Sequence, residues 1–152
     1  MPRVTRSRAI AAPPDRVWEL VSDPHHMPRW WPLAVRSEDV RDDPDTGALA
    51  WTVVLRTEGG TTVRADFREA ESRQGERFGW VQEVEGTPFA KILKAASVEV
   101  ALEADGGGST VSITSDESLR GMSRLGRSMI KGAAQRRLDE ALDGIERAVV
   151  PT

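Results

Sequence analysis

The chain has 152 residues, 39% of them hydrophobic and 30% charged, with a formal net charge of -3, which suffices for a buried core without disulfides or metals. It contains no cysteine, which excludes disulfide bridges, thiolate metal sites and cysteine nucleophiles and agrees with a reducing, cytoplasmic setting. The slight acidity argues against a nucleic-acid partner, the opening MPRVTRSRAIAAPPDRVW lacks an apolar signal core, and no run approaches the roughly 20 apolar residues that span a bilayer.

Val4 to Ile10 predicts a first strand. Pro13 and Pro14 then fix φ near a helical value, and Asp15 favours the positive end of the helix dipole. Val17, Leu20 and Val21 recur at helical spacing beside Trp18, and the pattern stops before Pro24, because the residue preceding a proline resists α geometry. Pro24, Pro28 and Pro32 fence the next segment into a turn or two of helix carrying Trp30 and Trp31. Because these two tryptophans are adjacent, one of them is expected to face inward.

From Val35 to Asp116 short strand-like runs alternate with turn chemistry at Asp42 to Gly47, Glu58 to Gly60, Ser72 to Gly75, Gly86 to Pro88 and Asp105 to Gly108. Alternation places Trp51, Val53 and Leu55 on one face, followed by Val63, Ala65 and Phe67, then Phe78, Trp80 and Gln82, then Val98, Val100 and Leu102, and finally Val111 and Ile113. After Leu119 the period becomes helical, and Leu138, Ala141, Leu142, Ile145 and Val149 form one apolar stripe. Gly121, Gly126 and Gly132 weaken the first half of this last helix. The expected architecture is α+β: a curved antiparallel sheet of six to seven strands wrapped around a long C-terminal helix, with two short helices after the first strand.

Four segments carry a family resemblance: AIAAPPDRVWELVSDPHHMPRWWP at the start, WTVVL, FGWVQEVEGTPFAKIL, and the closing LRGMSRLGRSMIKGAAQRRLDEALDGIERAV. Together they resemble the START-like (SRPBCC) superfamily of polyketide cyclases, lipid-transfer domains and plant pathogenesis-related allergens, over nearly the whole chain. The resemblance implies a single helix-grip domain, residues 1–152, enclosing a cavity for a lipid, polyketide or other aromatic or polycyclic molecule. Fold alone transfers no active site.

The inward residues expected to line such a cavity are Trp31, Trp51, Val53, Leu55, Val63, Ala65, Phe67, Phe78, Trp80 and Gln82 on the corner and sheet, with Met122, Leu125 and Met129 from the last helix. For Trp51, Phe67, Phe78 and Trp80, core packing and cavity lining stay open, since alternation defines only the face; Trp18 is assigned to the core. Gln82 would bring an amide into apolar space, where it needs a partner from a ligand, water or backbone. Arg6 and Arg8 are read as solvated edge residues, with capture of a ligand carboxylate or enolate as the alternative. The run Arg120, Arg124, Arg127, Lys131, Arg136 and Arg137 is read as a solvated basic face, with an anionic surface as the alternative partner. His25 and His26 are adjacent and lack a third ligand, so no metal and no cofactor are expected.

The leading expectation is a protein, monomeric or homodimeric, that binds or carries a small hydrophobic molecule. One alternative is a polyketide aromatase/cyclase (cyclase/dehydratase) working in the same cavity, for which no catalytic residue is assigned. Another is a protein-interaction module, against which the charged outward residues Arg56, Arg64, Asp66, Arg68 and Glu83 speak.

Overall fold

The computed structural model describes residues 3–57, 59–121 and 124–151, with the backbone alone for Arg124, Leu125 and Arg127. The elements run β1 (Arg3–Ile10), α1 (Pro14–Val21), a 3₁₀ helix (Pro24–Arg29), β2 (Ala34–Asp42), β3 (Leu49–Arg56), β4 (Thr62–Arg73), β5 (Arg77–Glu83), a second 3₁₀ helix (Pro88–Lys91), β6 (Leu93–Asp105), β7 (Gly108–Leu119) and α2 (Arg124–Val149). All seven strands form one antiparallel sheet in the order β1-β7-β6-β5-β4-β3-β2. This is the helix-grip arrangement, with strand ends within a few residues of the turns marked by Gly, Pro and Asp.

The local starts and stops follow from side-chain chemistry. Pro14 opens α1 at a position whose N–H would have no helical partner. Ser22 ends it, its backbone N–H donating to the Trp18 carbonyl at 3.0 Å and its hydroxyl donating to the same oxygen at 2.6 Å. Asp23 then caps the 3₁₀ helix by accepting from the His25 N–H at 3.0 Å. Irregular register within β2 and β4 marks bulges, which bend strands and increase twist, and so help the sheet curl.

The concave face is filled by α1 and α2. Val17, Leu20 and Val21 of α1 and Leu138, Ala141, Leu142, Ile145 and Val149 of α2 join Trp51, Val53, Ala65, Phe78, Val100, Val111 and Ile113 of the sheet in one buried cluster. Trp18 stands edge-on to Phe78, centroids 6.2 Å apart, within the partly buried margin of that cluster. Gly144 allows α2 its closest approach to the tryptophan corner: a β-carbon there would lie 2.6 Å from the Trp30 carbonyl oxygen and 2.7 Å from the Trp30 α-carbon.

Salt bridges tie α2 to β1 as well. Arg6 donates two hydrogen bonds to Asp139, at 2.9 and 3.1 Å, and Arg8 reaches Asp143 at 2.5 Å and Glu146 at 3.6 Å. Neither arginine lines the cavity described below; rather than standing free in solvent or facing a ligand, both are held by the acidic side of α2.

Candidate ligand cavity

Toward the N-terminal half of α2 the filling stops. A cavity of about 370 Å³ opens between helix and sheet, walled by Trp31, Leu55, Phe67, Trp80, Phe89, Leu93 and Val98. Small residues leave the room: Ala133 on the helix side, and Ala96 and Ser115 on the sheet side. Interiors normally pack to crystal density, so a space this large must be maintained by a rigid surround. The aromatic wall supplies one, with Trp31 and Trp80 edge to face at 5.3 Å and Phe67 tilted against Trp80 at 5.8 Å.

The mouth is apolar too. Leu33 and Ile92, which help line the cavity, are 62% and 57% exposed. Leu33 has a positive φ of 66°, unusual for a bulky residue, and its carbonyl accepts from the Arg56 N–H at 2.8 Å, which pins the corner to the end of β3.

Apart from Ser115, which pairs with Val98 one level away, the polar side chains of the sheet wall fall on one level. Phe67 pairs with Gln82 across β4 and β5, and Ala96 pairs with Glu117 across β6 and β7. The β5–β6 ladder runs only as far as Val81 opposite Ser97, so Gln82 and Ala96 face each other just past its end. Phe67, Gln82, Ala96 and Glu117 therefore form a row across the floor, and all four line the cavity. Above the row Arg137 of α2 donates to Glu117 at 2.6 Å, the two side chains being 36% and 16% exposed. Gln82 Nε2 and Arg137 Nε are buried and have no hydrogen-bond partner among the described residues.

The residues expected from the sequence divide into four groups. Trp31, Leu55, Phe67, Trp80 and Gln82 line the cavity together. Trp51, Val53, Ala65 and Phe78 share that face of the sheet but lie in the packed core, each 1% exposed or less. Val63 and Met129 are corrections: Val63, near the start of β4, is 37% exposed, and Met129 is 69% exposed, because it sits one helical step off the line Ile130, Ala133, Arg137 that faces the cavity. Met122 and the side chain of Leu125 lie outside the described residues. Of the two adjacent tryptophans both are buried, Trp31 against the cavity and Trp30 beneath Gly144.

Sequence reasoning missed Glu117 and Arg137. Alternation through Val111 and Ile113 continues to Ser115, Glu117 and Leu119, so extending it two steps would have found the carboxylate. Arg137, assigned to a solvated basic run, turns inward one residue before Leu138. The histidines sit apart, around the cap: His25 Nδ1 is 2.9 Å and His26 Nε2 3.5 Å from the Asp23 carboxylate.

Residues 1–150 match the family of polyketide cyclases/dehydrases and lipid-transport proteins. The chain belongs to that family. Among curated proteins nothing matches. Solved structures do: the di-domain aromatase/cyclase BexL from the BE-7585A biosynthetic pathway superposes with a TM-score of 0.77 at 16% identity, over 99% of this chain and 50% of that one. This family member thus spans half the length of BexL. Zhui aromatase/cyclase from Streptomyces sp. R1128 gives 0.76 at 17% identity over 96% and 92% of the two chains. A START superfamily protein from Mycobacterium smegmatis gives 0.76 at 12% identity over 97% and 96%. At these identities the likeness is one of fold. Among the described residues no helix is long and apolar enough to cross a membrane.

Proposed function

We propose that this protein binds and carries a small hydrophobic molecule in the cavity beneath the N-terminal half of α2. The observation that carries the reading is the cavity itself: about 370 Å³, walled by aromatic and aliphatic side chains and open at an apolar lip. That volume lies within the roughly 300–1,000 Å³ of ordinary small-molecule sites. Flat rings such as Trp31 and Trp80 favour planar or polycyclic guests. Native mass spectrometry of freshly purified protein tests the reading: a retained small molecule, displaced when Ala96→Leu narrows the floor, supports it, and ligand-free protein that takes up no apolar probe counts against it.

The Glu117–Arg137 pair favours a second reading, a polyketide cyclase or dehydratase. A carboxylate able to move a proton and a guanidinium able to stabilise an enolate stand on the wall where a folded poly-β-ketone would lie. Regiospecific cyclised product, formed by the wild type and lost in Glu117→Gln, would favour it over simple carriage. In either case we read residues 1–152 as a single cytoplasmic domain, monomeric or homodimeric, that does not engage nucleic acid; the absent cysteine and the charge of -3 support this.

A further inference from the structure

We propose that the rim of the cavity docks on an anionic membrane surface, a role that goes beyond carriage of a guest and does not depend on which guest is carried. The exposed large hydrophobic side chains among the described residues are Leu33, Val35, Val63, Ile92 and Met129. All five gather around the opening. Leu33 and Ile92 line it, Val35 lies two residues beyond Leu33, Val63 pairs with the lining residue Leu55 across β3 and β4, and Met129 adjoins the lining residue Ile130. Apolar side chains scattered singly over a surface are ordinary, but a group of them around one opening marks a contact surface.

Cations stand among them. Arg56, Lys91, Arg120 and Lys131 are exposed, and each is next in sequence to a residue that lines the cavity: Leu55, Ile92, Leu119 and Ile130. Two are fixed to the lip through the backbone, the Arg56 N–H donating to the Leu33 carbonyl at 2.8 Å and the Arg120 N–H to the Ile92 carbonyl at 2.9 Å. None of the four has an ion-pair partner among the described residues, whereas on the outer face of the sheet Arg64, Arg68 and Arg77 are each paired with a glutamate. The carboxylates near the mouth are already answered: Glu117 by Arg137, and Glu140 and Asp143, beyond Leu33, by a groove they share with Arg29 and Arg147. In a chain whose net charge is -3, the rim is locally positive.

Charge and side-chain type select the occupant. A second copy seated on this face would set like charges against each other. An acidic protein would answer the cations, but protein contacts centre on aromatic anchors in packed pockets, and this rim offers separate aliphatic tips around a hole. Aliphatic tips flanked by lysine and arginine match an anionic bilayer, the tips reaching the acyl boundary and each cation adding about fivefold in affinity at the headgroups. Contact of the mouth with lipid also spares an apolar guest a passage through water.

Cosedimentation of the full, ligand-free chain with vesicles of phosphatidylcholine alone, and of phosphatidylcholine with phosphatidylglycerol, tests this. Binding is expected to the mixed vesicles and should weaken with added salt. Arg120→Gln or Lys131→Gln should reduce it about fivefold and Ile92→Ser about tenfold, while Arg73→Gln, which removes the same charge from the far end of β4, should leave it nearly unchanged. Melting temperatures report the folding of each variant. Because the chain has no cysteine, Ile92→Cys and Arg73→Cys each accept one environment-sensitive fluorophore, whose emission should shift to the blue on mixed vesicles at position 92 and not at 73. A chain that ignores the mixed vesicles at low salt overturns the proposal. A dimer lost in Ile92→Ser would then assign the rim to a second copy, and a monomer would leave it to an acidic protein. Equal losses in Arg73→Gln and Arg120→Gln overturn it too, since net charge alone would then explain the binding. Uptake of an apolar probe, measured without vesicles, reports on the cavity reading separately, so the failure of one leaves the other standing.

Discussion

One helix serves two purposes along its length. From Ala134 to Val149, α2 presents Leu138, Ala141, Leu142 and Ile145, each 1% exposed or less, to the sheet, and Arg6 and Arg8 of β1 grip its acidic side. From Arg124 to Ala133 the same helix roofs a void: Ser128 and Met129 face solvent, Ile130 is half-buried, and Gly126 and Gly132 lower helical propensity. The difference comes from side-chain size on both surfaces. Where leucine and isoleucine meet Phe78, Val100 and Ile113 the space closes, and where Ala133 stands over Ala96 and Ser115 it stays open. A cavity here is a local shortage of side-chain volume beside a well-filled core.

The comparison breaks most readily at its packed end. Leu142→Ala should cost about 2 to 5 kcal/mol in denaturant unfolding, whereas Ile130→Ala, over the void, should cost far less. Gly144→Ala should destabilise by about 1 to 3 kcal/mol or more, since the new methyl group would meet Trp30 backbone that has little freedom to move. A loss from Ile130→Ala equal to that from Leu142→Ala would erase the distinction between the halves. At the open end, Ala96→Leu should abolish uptake of an apolar probe while changing stability by no more than about 1 kcal/mol, because the added carbons enter existing space.

Face was legible in the sequence; depth along the face was not. Alternation identified the concave side correctly for Trp51 and Phe67, which pair directly across β3 and β4, yet only Phe67 lines the cavity. Nothing in strand parity reports which level of the sheet the helix covers tightly, because that depends on residues from α1 and α2 brought in from both ends of the chain. The prolines at 24, 28 and 32 marked the corner for a local reason, fixed φ, and local reasons survive folding. Arg137 was hidden by its neighbours: in a run of cations that the sequence reads as solvated, only its partner Glu117, 20 residues earlier on another strand, shows that it points inward.

Smaller effects sharpen the account. Arg8→Ala should destabilise by under about 1 kcal/mol, and the loss should shrink with added salt, as expected of a partly exposed ion pair holding the packed half of α2 to β1. The acid limb should be gentler still. At Asp23 burial pushes the carboxyl up, but the His25 N–H, the His25 ring and the two imidazole charges together hold it below the usual carboxylate range. At Glu38 the hydrogen bond from Arg36, opposed by slight desolvation and aided by the charges of Arg64 and Arg36, also holds the carboxyl low. Both groups bind protons more weakly folded than unfolded. Their stabilisation is therefore present above the unfolded carboxylate pKa and lost as pH falls through the folded value. Thermal melts between about pH 6 and pH 3 should show a shallower decline for Asp23→Asn and Glu38→Gln than for the wild type.

The division of α2 into a packed half and a roofing half is tested most directly by an amide and side-chain NMR titration with 2-acetylnaphthalene. Saturable shifts should appear at the indole N–H groups of Trp31 and Trp80, the side-chain amide of Gln82 and the backbone of Ala133 to Arg137, while Leu142 to Val149 stay unmoved. Shifts confined to the outer sheet face, or centred on Leu142 to Val149, would contradict the account.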